Sequence, residues 1–407
     1  MESVISSIWG IQTAIIPMVW SPSVTVQVLV KAWSIYETKT TNWLSHFLEH
    51  MFFKWGQKYR TPKDVSLALD GLGASYNAFT ANEYAWYYVK VAPQYIRAAM
   101  DVLSDMLLGA QFPKQEMETE KWVVIQEIMM YEDMPNRLVH DKWWQWYYGD
   151  NPSWWSILWP KENVQAFTQD DLFRHKHALY TKDNLVVVVA WHIPDVDAVR
   201  TLVGEYFDRL PATKDFVPEH YPQHKPDNHQ AWYEKGTQQH HLVIGADWWT
   251  MHDHERYPAR LLSAILWWTM SSRLFQHIRE KQWLCYYIGS AHWTWDEKWV
   301  FAVYAWMEKE RRDAWLAAIY DEIAQIQQHG ITDDEYKQVR DYIQWSLAMN
   351  IETSDDMANY VAKQLLYKWA ITSLDDHCAA YLAVTKEQIN TVAQALAREQ
   401  LYAYWIE

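Results

Sequence analysis

His46, Glu49 and His50 fall within one apolar stretch, Leu44-Ser-His-Phe-Leu-Glu-His-Met-Phe-Phe53. Residues four apart share a helical face, so both imidazoles can reach a single metal ion. Glu49 stands beside the second of them, placed to take a proton from a water that such an ion activates. The order H-x-x-E-H inverts the H-E-x-x-H of common zinc proteases and serves the same chemistry. The same five residues also fit a half-buried helix whose histidines are satisfied by hydrogen bonds, so a third ligand must decide.

Glu116 to Tyr131 is rich in Glu, Met and Lys and reads as a strong helix. Glu120 and Glu127 lie two turns apart in it and therefore on one face. A catalytic zinc takes three protein ligands and keeps its fourth position for water. Glu127 as ligand, with Glu120 holding a ligating histidine, meets that need. Two solvated charges on a helix face are the alternative.

An H-x-x-E-H followed 77 positions later (127 − 50) by Glu127, with Glu120 seven before it, resembles the pitrilysin, insulinase and mitochondrial processing peptidase family. The likeness extends through Arg60-Thr-Pro62, Asn77-Ala-Phe-Thr80, Glu83-Tyr84, Tyr87-Tyr88 and Tyr131-Glu-Asp-Met-Pro135. Ser271-Ser-Arg-Leu-Phe275 and Arg279-Glu-Lys281 with Tyr286 continue it into the second half. The resemblance implies Zn2+ bound by His46, His50 and Glu127, Glu49 as general base, and Glu120 orienting the site. It implies that Asn77, Ala78 and Phe79 form a strand along which an extended peptide lies, by strand addition. Arg279 and Tyr286 are implied to contact the substrate near the scissile bond, where a guanidinium and a phenol suit a developing oxyanion. A half-length chain of this kind is implied to work on short or unfolded peptides as a homodimer, each active site completed in trans. Some relatives are non-catalytic scaffold subunits, the competing expectation.

These residues need elements to hold them. Val24 to Val30 and Leu185 to Ala190 read as strands, the second fully buried. Ala98 to Leu108, Arg311 to Gln328 and Thr332 to Met349 read as amphipathic helices. Leu210 to Gln230 carries four prolines among polar residues and can continue neither helix nor central strand. The division expected is a zinc-binding domain over 1–210, a linker over 211–230 and a substrate-binding domain over 231–407. No direct sequence repeat is visible. The resemblance supplies the fold class: α+β, in two similar halves, each a mostly antiparallel sheet packed with helices.

The formal net charge of −15 argues against nucleic acid and anionic membrane surfaces as partners. Two cysteines give neither a disulfide framework nor a zinc cluster, which suits a reducing compartment, and a cytoplasmic location is expected. No run of eighteen apolar residues predicts a membrane span. His240-His241, His252-Asp-His254-Glu255 and His175-Lys-His177 lack the helical pair spacing and read as exposed polar residues. The chain has 28 Trp against 11 Gly; the resemblance places Trp55, Trp267, Trp268 and Trp283 where the family usually has glycine, and Trp159, Trp191 and Trp306 sit at turn-like places. Glycine usually holds such positions because it tolerates positive φ, so strain is expected where tryptophan replaces it.

Overall fold

The computed structural model describes residues 4–32, 34–81, 83–155, 161–191, 195–212, 225–294, 299–368 and 370–407. Most of the expected linker, 213–224, and Trp159 lie outside the described residues. Eleven strands form two sheets among these residues. The first contains β1 (Val4–Ile8), β2 (Ile11–Pro17), β3 (Val24–Val30), β4 (Ser75–Thr80), β5 (Ala85–Val91) and β6 (Leu185–Trp191). The second contains β7 (Gln230–Tyr233), β8 (His240–Trp248), β9 (Tyr287–Thr294), β10 (Trp299–Met307) and β11 (Tyr402–Ile406).

The sheets share one topology. The first runs β1-β2-β6-β3-β5-β4 and the second β7-β11-β8-β10-β9. Leaving out β1, the strands of each half pair in the order first, fifth, second, fourth, third. Each sheet has a single parallel pair at the same place, β2 with β6 and β7 with β11, and is otherwise antiparallel. This is the α+β duplication expected, carried by topology where the sequence shows no repeat.

Contacts group the chain into two compact units that are not contiguous. One comprises Met1–Met129, Ile157–Tyr221 and Asn350–Thr372; the other comprises Met130–Ser156, Pro222–Met349 and Ser373–Glu407. Each half of the sequence thus gives a helix to the other's sheet, which the contiguous blocks 1–210 and 231–407 do not describe. Helix Ser354–Lys368 packs on β2, β3 and β6. It explains the polar residues of the buried strand β3: Thr25 Oγ1 bonds Ser354 Oγ at 2.8 Å, and Gln27 Nε2 donates to Asn359 Oδ1 at 2.9 Å. Val24, Val26, Val28 and Val30 alternate with them and fill the core of that unit. Helix Pro135–Tyr148 packs on β8 and β11 of the second unit. Its fully buried Trp143 stacks on Tyr147 at 4.6 Å and donates its indole N–H to the Tyr402 carbonyl at 2.9 Å.

Helices Ile96–Gly109, Arg312–His329 and Asp333–Met349 stand where periodicity placed them. The tryptophans divide. Trp191 and Trp306 belong to β6 and β10 and so are not turn residues, whereas Trp267 and Trp268 lie in a π-helical segment, Ala264–Trp268. Trp283 does occupy left-handed backbone, at φ 55°, as do Trp9 at 52° and Trp43 at 81°. A left-handed L-residue costs about 1–2 kcal/mol. Trp283 is 72% exposed, so little packing offsets that cost. Trp283→Gly is expected to raise unfolding stability by about 1 kcal/mol, the relief exceeding the extra unfolded-chain entropy, and a higher denaturant midpoint measures it. Among the described residues no helix is long and apolar enough to cross a membrane.

Candidate metal centre

Helix Leu44–Phe52 buries seven of its residues, Leu44, Ser45, Phe47, Leu48, Glu49, Met51 and Phe52, and leaves His46 and His50 on its half-buried side. Phe52 anchors it edge-on against Tyr87 of β5 and Tyr180, at centroid distances of 5.6 and 5.0 Å. The second element is helix Lys114–Glu132, whose Glu120 and Glu127 face the histidines, as two-turn spacing requires.

Three donor atoms converge between the two helices. His50 Nε2 lies 3.1 Å from His46 Nε2, and Glu127 Oε2 lies 3.4 Å from His46 Nε2 and 3.5 Å from His50 Nε2. Tetrahedral zinc ligands about 2.0–2.1 Å from the ion stand roughly 3.3–3.4 Å from one another. The residues present therefore fit zinc. Among the described residues they are the group of three such side chains close enough to hold a metal ion. Glu120 Oε1 bonds His50 Nδ1 at 2.8 Å, which directs Nε2 toward the cluster, and Lys54 Nζ holds the other carboxylate oxygen at 2.6 Å. Burial works against a charge on His50, but the hydrogen bonds it donates to Glu120 and Glu127 and the field of Glu49 override it and push the imidazole up to about 9. Burial likewise opposes ionisation of Glu127, and the two histidines prevail, holding its carboxyl well below the usual range.

Glu49 Oε2 lies 3.9 Å from His46 Nδ1 and accepts a hydrogen bond from Thr80 Oγ1. The end of β4 therefore touches the proposed base. Asn77, Ala78 and Phe79 belong to β4, an edge strand of its sheet among the described residues, with Ala78 buried and Phe79 in edge-to-face contact with Trp86 at 4.6 Å. In the second unit, Arg279 Nε donates to the Tyr286 backbone carbonyl at 3.0 Å, its guanidinium covers the Phe275 ring, and the Tyr286 side chain is exposed.

Several contributors escape a reading of the sequence. Thr80 and Lys54 stand in or beside the motifs described above, yet residue type alone suggests no role for either. Glu37, buried behind the start of the histidine helix, accepts from the Trp43 and Ser45 backbone N–H groups at 2.9 and 2.7 Å. His175 and His240, read as exposed, are both buried. His175 faces inward on an amphipathic helix, Gln169–Leu179, and bonds Ser45 Oγ through Nε2 at 2.7 Å.

The family model described as "Insulinase (Peptidase family M16)" matches residues 17–161, and "Peptidase M16 inactive domain" matches 166–343. An uncharacterized zinc protease of Bacillus subtilis is 31% identical over 379 residues, 93% of this chain and 91% of that protein. A second, of Streptomyces coelicolor, is 31% identical over 366 residues, 88% of this chain and 79% of that protein. Among solved structures, a protease from Helicobacter pylori superposes with a TM-score of 0.91 at 19% identity, covering 100% of this chain and 99% of that one. An M16-like peptidase from Alicyclobacillus acidocaldarius gives 0.84 at 18% identity, covering 100% and 98%.

Proposed function

The chain belongs to the insulinase family of peptidases, family M16, and from that membership we propose that it is a zinc-dependent endopeptidase acting on short or unfolded peptides. The observation that carries the proposal is the convergence of His46, His50 and Glu127 at ligand spacing with Glu49 alongside. Bound there, zinc supplies a Lewis acid able to make water a nucleophile at neutral pH. Glu49 accepts the proton of the attacking water on its carboxylate and returns it to the leaving amine. Thr80, bonded to Oε2, fixes the direction in which that carboxylate presents itself. Glu120 keeps the His50 ring turned so that Nε2 faces the ligand cluster. Among the described residues β4 is an edge strand, whose outer backbone N–H and C=O groups would pair with an extended peptide whose side chains then alternate between the two sides of the sheet.

The decisive experiment measures zinc content and cleavage of a quenched fluorescent peptide before chelation, after it, and after zinc is restored. Near-stoichiometric zinc without cleavage would instead leave a scaffold subunit. Glu120→Gln is expected to weaken zinc binding about 10- to 100-fold, the usual effect of removing an orienting carboxylate, as measured by competition with a chelating dye.

Arg279 and Tyr286 complete the proposal as substrate contacts supplied by the other subunit of a homodimer, a role that rests on the family likeness. Mixing inactive Glu49→Gln and Arg279→Ala chains is expected to restore part of the activity through the one intact site of the mixed dimer. No recovery would refute completion in trans.

A further inference from the structure

Helix Leu44–Phe52 begins without the usual device. Its N-cap residue, Trp43, makes no side-chain capping bond and sits in left-handed backbone, a conformation that persists in an L-residue only where the surroundings enforce it. The Trp43 ring is itself committed, meeting His46 edge-on at 4.6 Å. What serves the first turn instead is a carboxylate from outside the helix: Glu37 Oε2 accepts from Trp43 N, and Oε1 from Ser45 N. The Ser45 hydroxyl adds a further bond to Glu37 and also meets His175 Nε2. His175 belongs to helix Gln169–Leu179, so the chain Glu37–Ser45–His175 ties the start of the histidine helix to its neighbour. All three side chains are buried, and burial pushes Glu37 up to about 7 against the pull of these donors.

We propose that Glu37 is a positioning residue for the metal centre, its carboxylate setting the left-handed entry at Trp43 and the first turn of the helix so that His46 and Glu49 meet the cluster in working geometry. The inference rests on the metallopeptidase reading. The geometry is short-range: Ser45 directly precedes His46 and lies one turn before Glu49. The helix has nine residues, so a tilt of its first turn is shared by both functional side chains. A misplacement of about 1 Å costs on the order of a hundredfold in rate.

Glu37→Gln offers one carbonyl oxygen for two backbone donors and turns an NH2 toward the other. The expected result is a fall in kcat per bound zinc of about tenfold or more with KM within about twofold, together with a shifted visible absorption band when cobalt replaces zinc. Glu37→Asp keeps two carboxyl oxygens on a shorter arm and is expected to fall between wild type and Gln on both readouts. Ser45→Ala leaves both backbone bonds and is expected to change kcat less than either. A lower melting temperature with the cobalt band and kcat per zinc unchanged in Glu37→Gln would overturn the proposal, as would the same finding in Glu37→Asp should the Gln chain not fold. If the wild type binds zinc but cleaves nothing, the peptidase reading fails, while the cobalt spectra still decide whether Glu37 sets the geometry of the metal centre.

Discussion

Glu49→Gln is expected to reduce peptide cleavage by about a hundred- to ten-thousandfold, the usual contribution of a positioned general base, while zinc stays bound. The side chain keeps its shape and can still meet Thr80, but an amide accepts no proton from water at neutral pH. The structure separates the two effects because Glu49 contributes no atom to the converging set of His46, His50 and Glu127. Its carboxylate is turned instead toward Thr80 and the end of β4. Zinc content by elemental analysis and turnover of a quenched peptide, measured on one preparation, check both halves. Cleavage near the wild-type rate would show that another group takes the proton.

The contrast between Glu49 and its neighbours shows which parts of the site are legible in the chain. Helical periodicity is rigid over one or two turns, so residue spacing alone phases His46 with His50, and Glu120 with Glu127, onto shared faces. That the two helices face each other comes from family likeness, since periodicity says nothing about which helices meet. Glu37 carries no local signal: it lies six residues before Trp43, and its role depends on a loop returning it beneath the helix. His175 looks exposed because Lys176 and His177 are polar neighbours, yet it faces inward and Lys176 is buried with it, its amine donating to the Leu108 carbonyl. The tryptophans show the same limit. Trp191 and Trp306 extend strands, whereas Trp43 and Trp283 take up left-handed backbone, a difference that residue type alone does not encode. The exchange of helices Pro135–Tyr148 and Ser354–Lys368 likewise escapes a division drawn at prolines, because a linker marks where the chain is free to bend and not which sheet a distant helix covers.

Glu127→Gln tests the centre from the other side, and its expected signature is the reverse of Glu49→Gln. The substitution removes the negative charge that faces both histidine Nε2 atoms and leaves a neutral oxygen, a much weaker zinc ligand. Losing a carboxylate that only orients a ligand weakens metal binding about 10- to 100-fold, so losing a ligand itself is expected to exceed that range. Cleavage should fall with zinc occupancy and recover in part when excess zinc is supplied, which Glu49→Gln cannot do. The fold should survive, because Phe47, Leu48, Met51 and Phe52 are fully buried and hold the histidine helix independently of any ion. Far-ultraviolet circular dichroism of the variant is therefore expected to match wild type. Retention of tight zinc binding in Glu127→Gln would remove Glu127 from the ligand set, and with it the observation on which the peptidase mechanism stands.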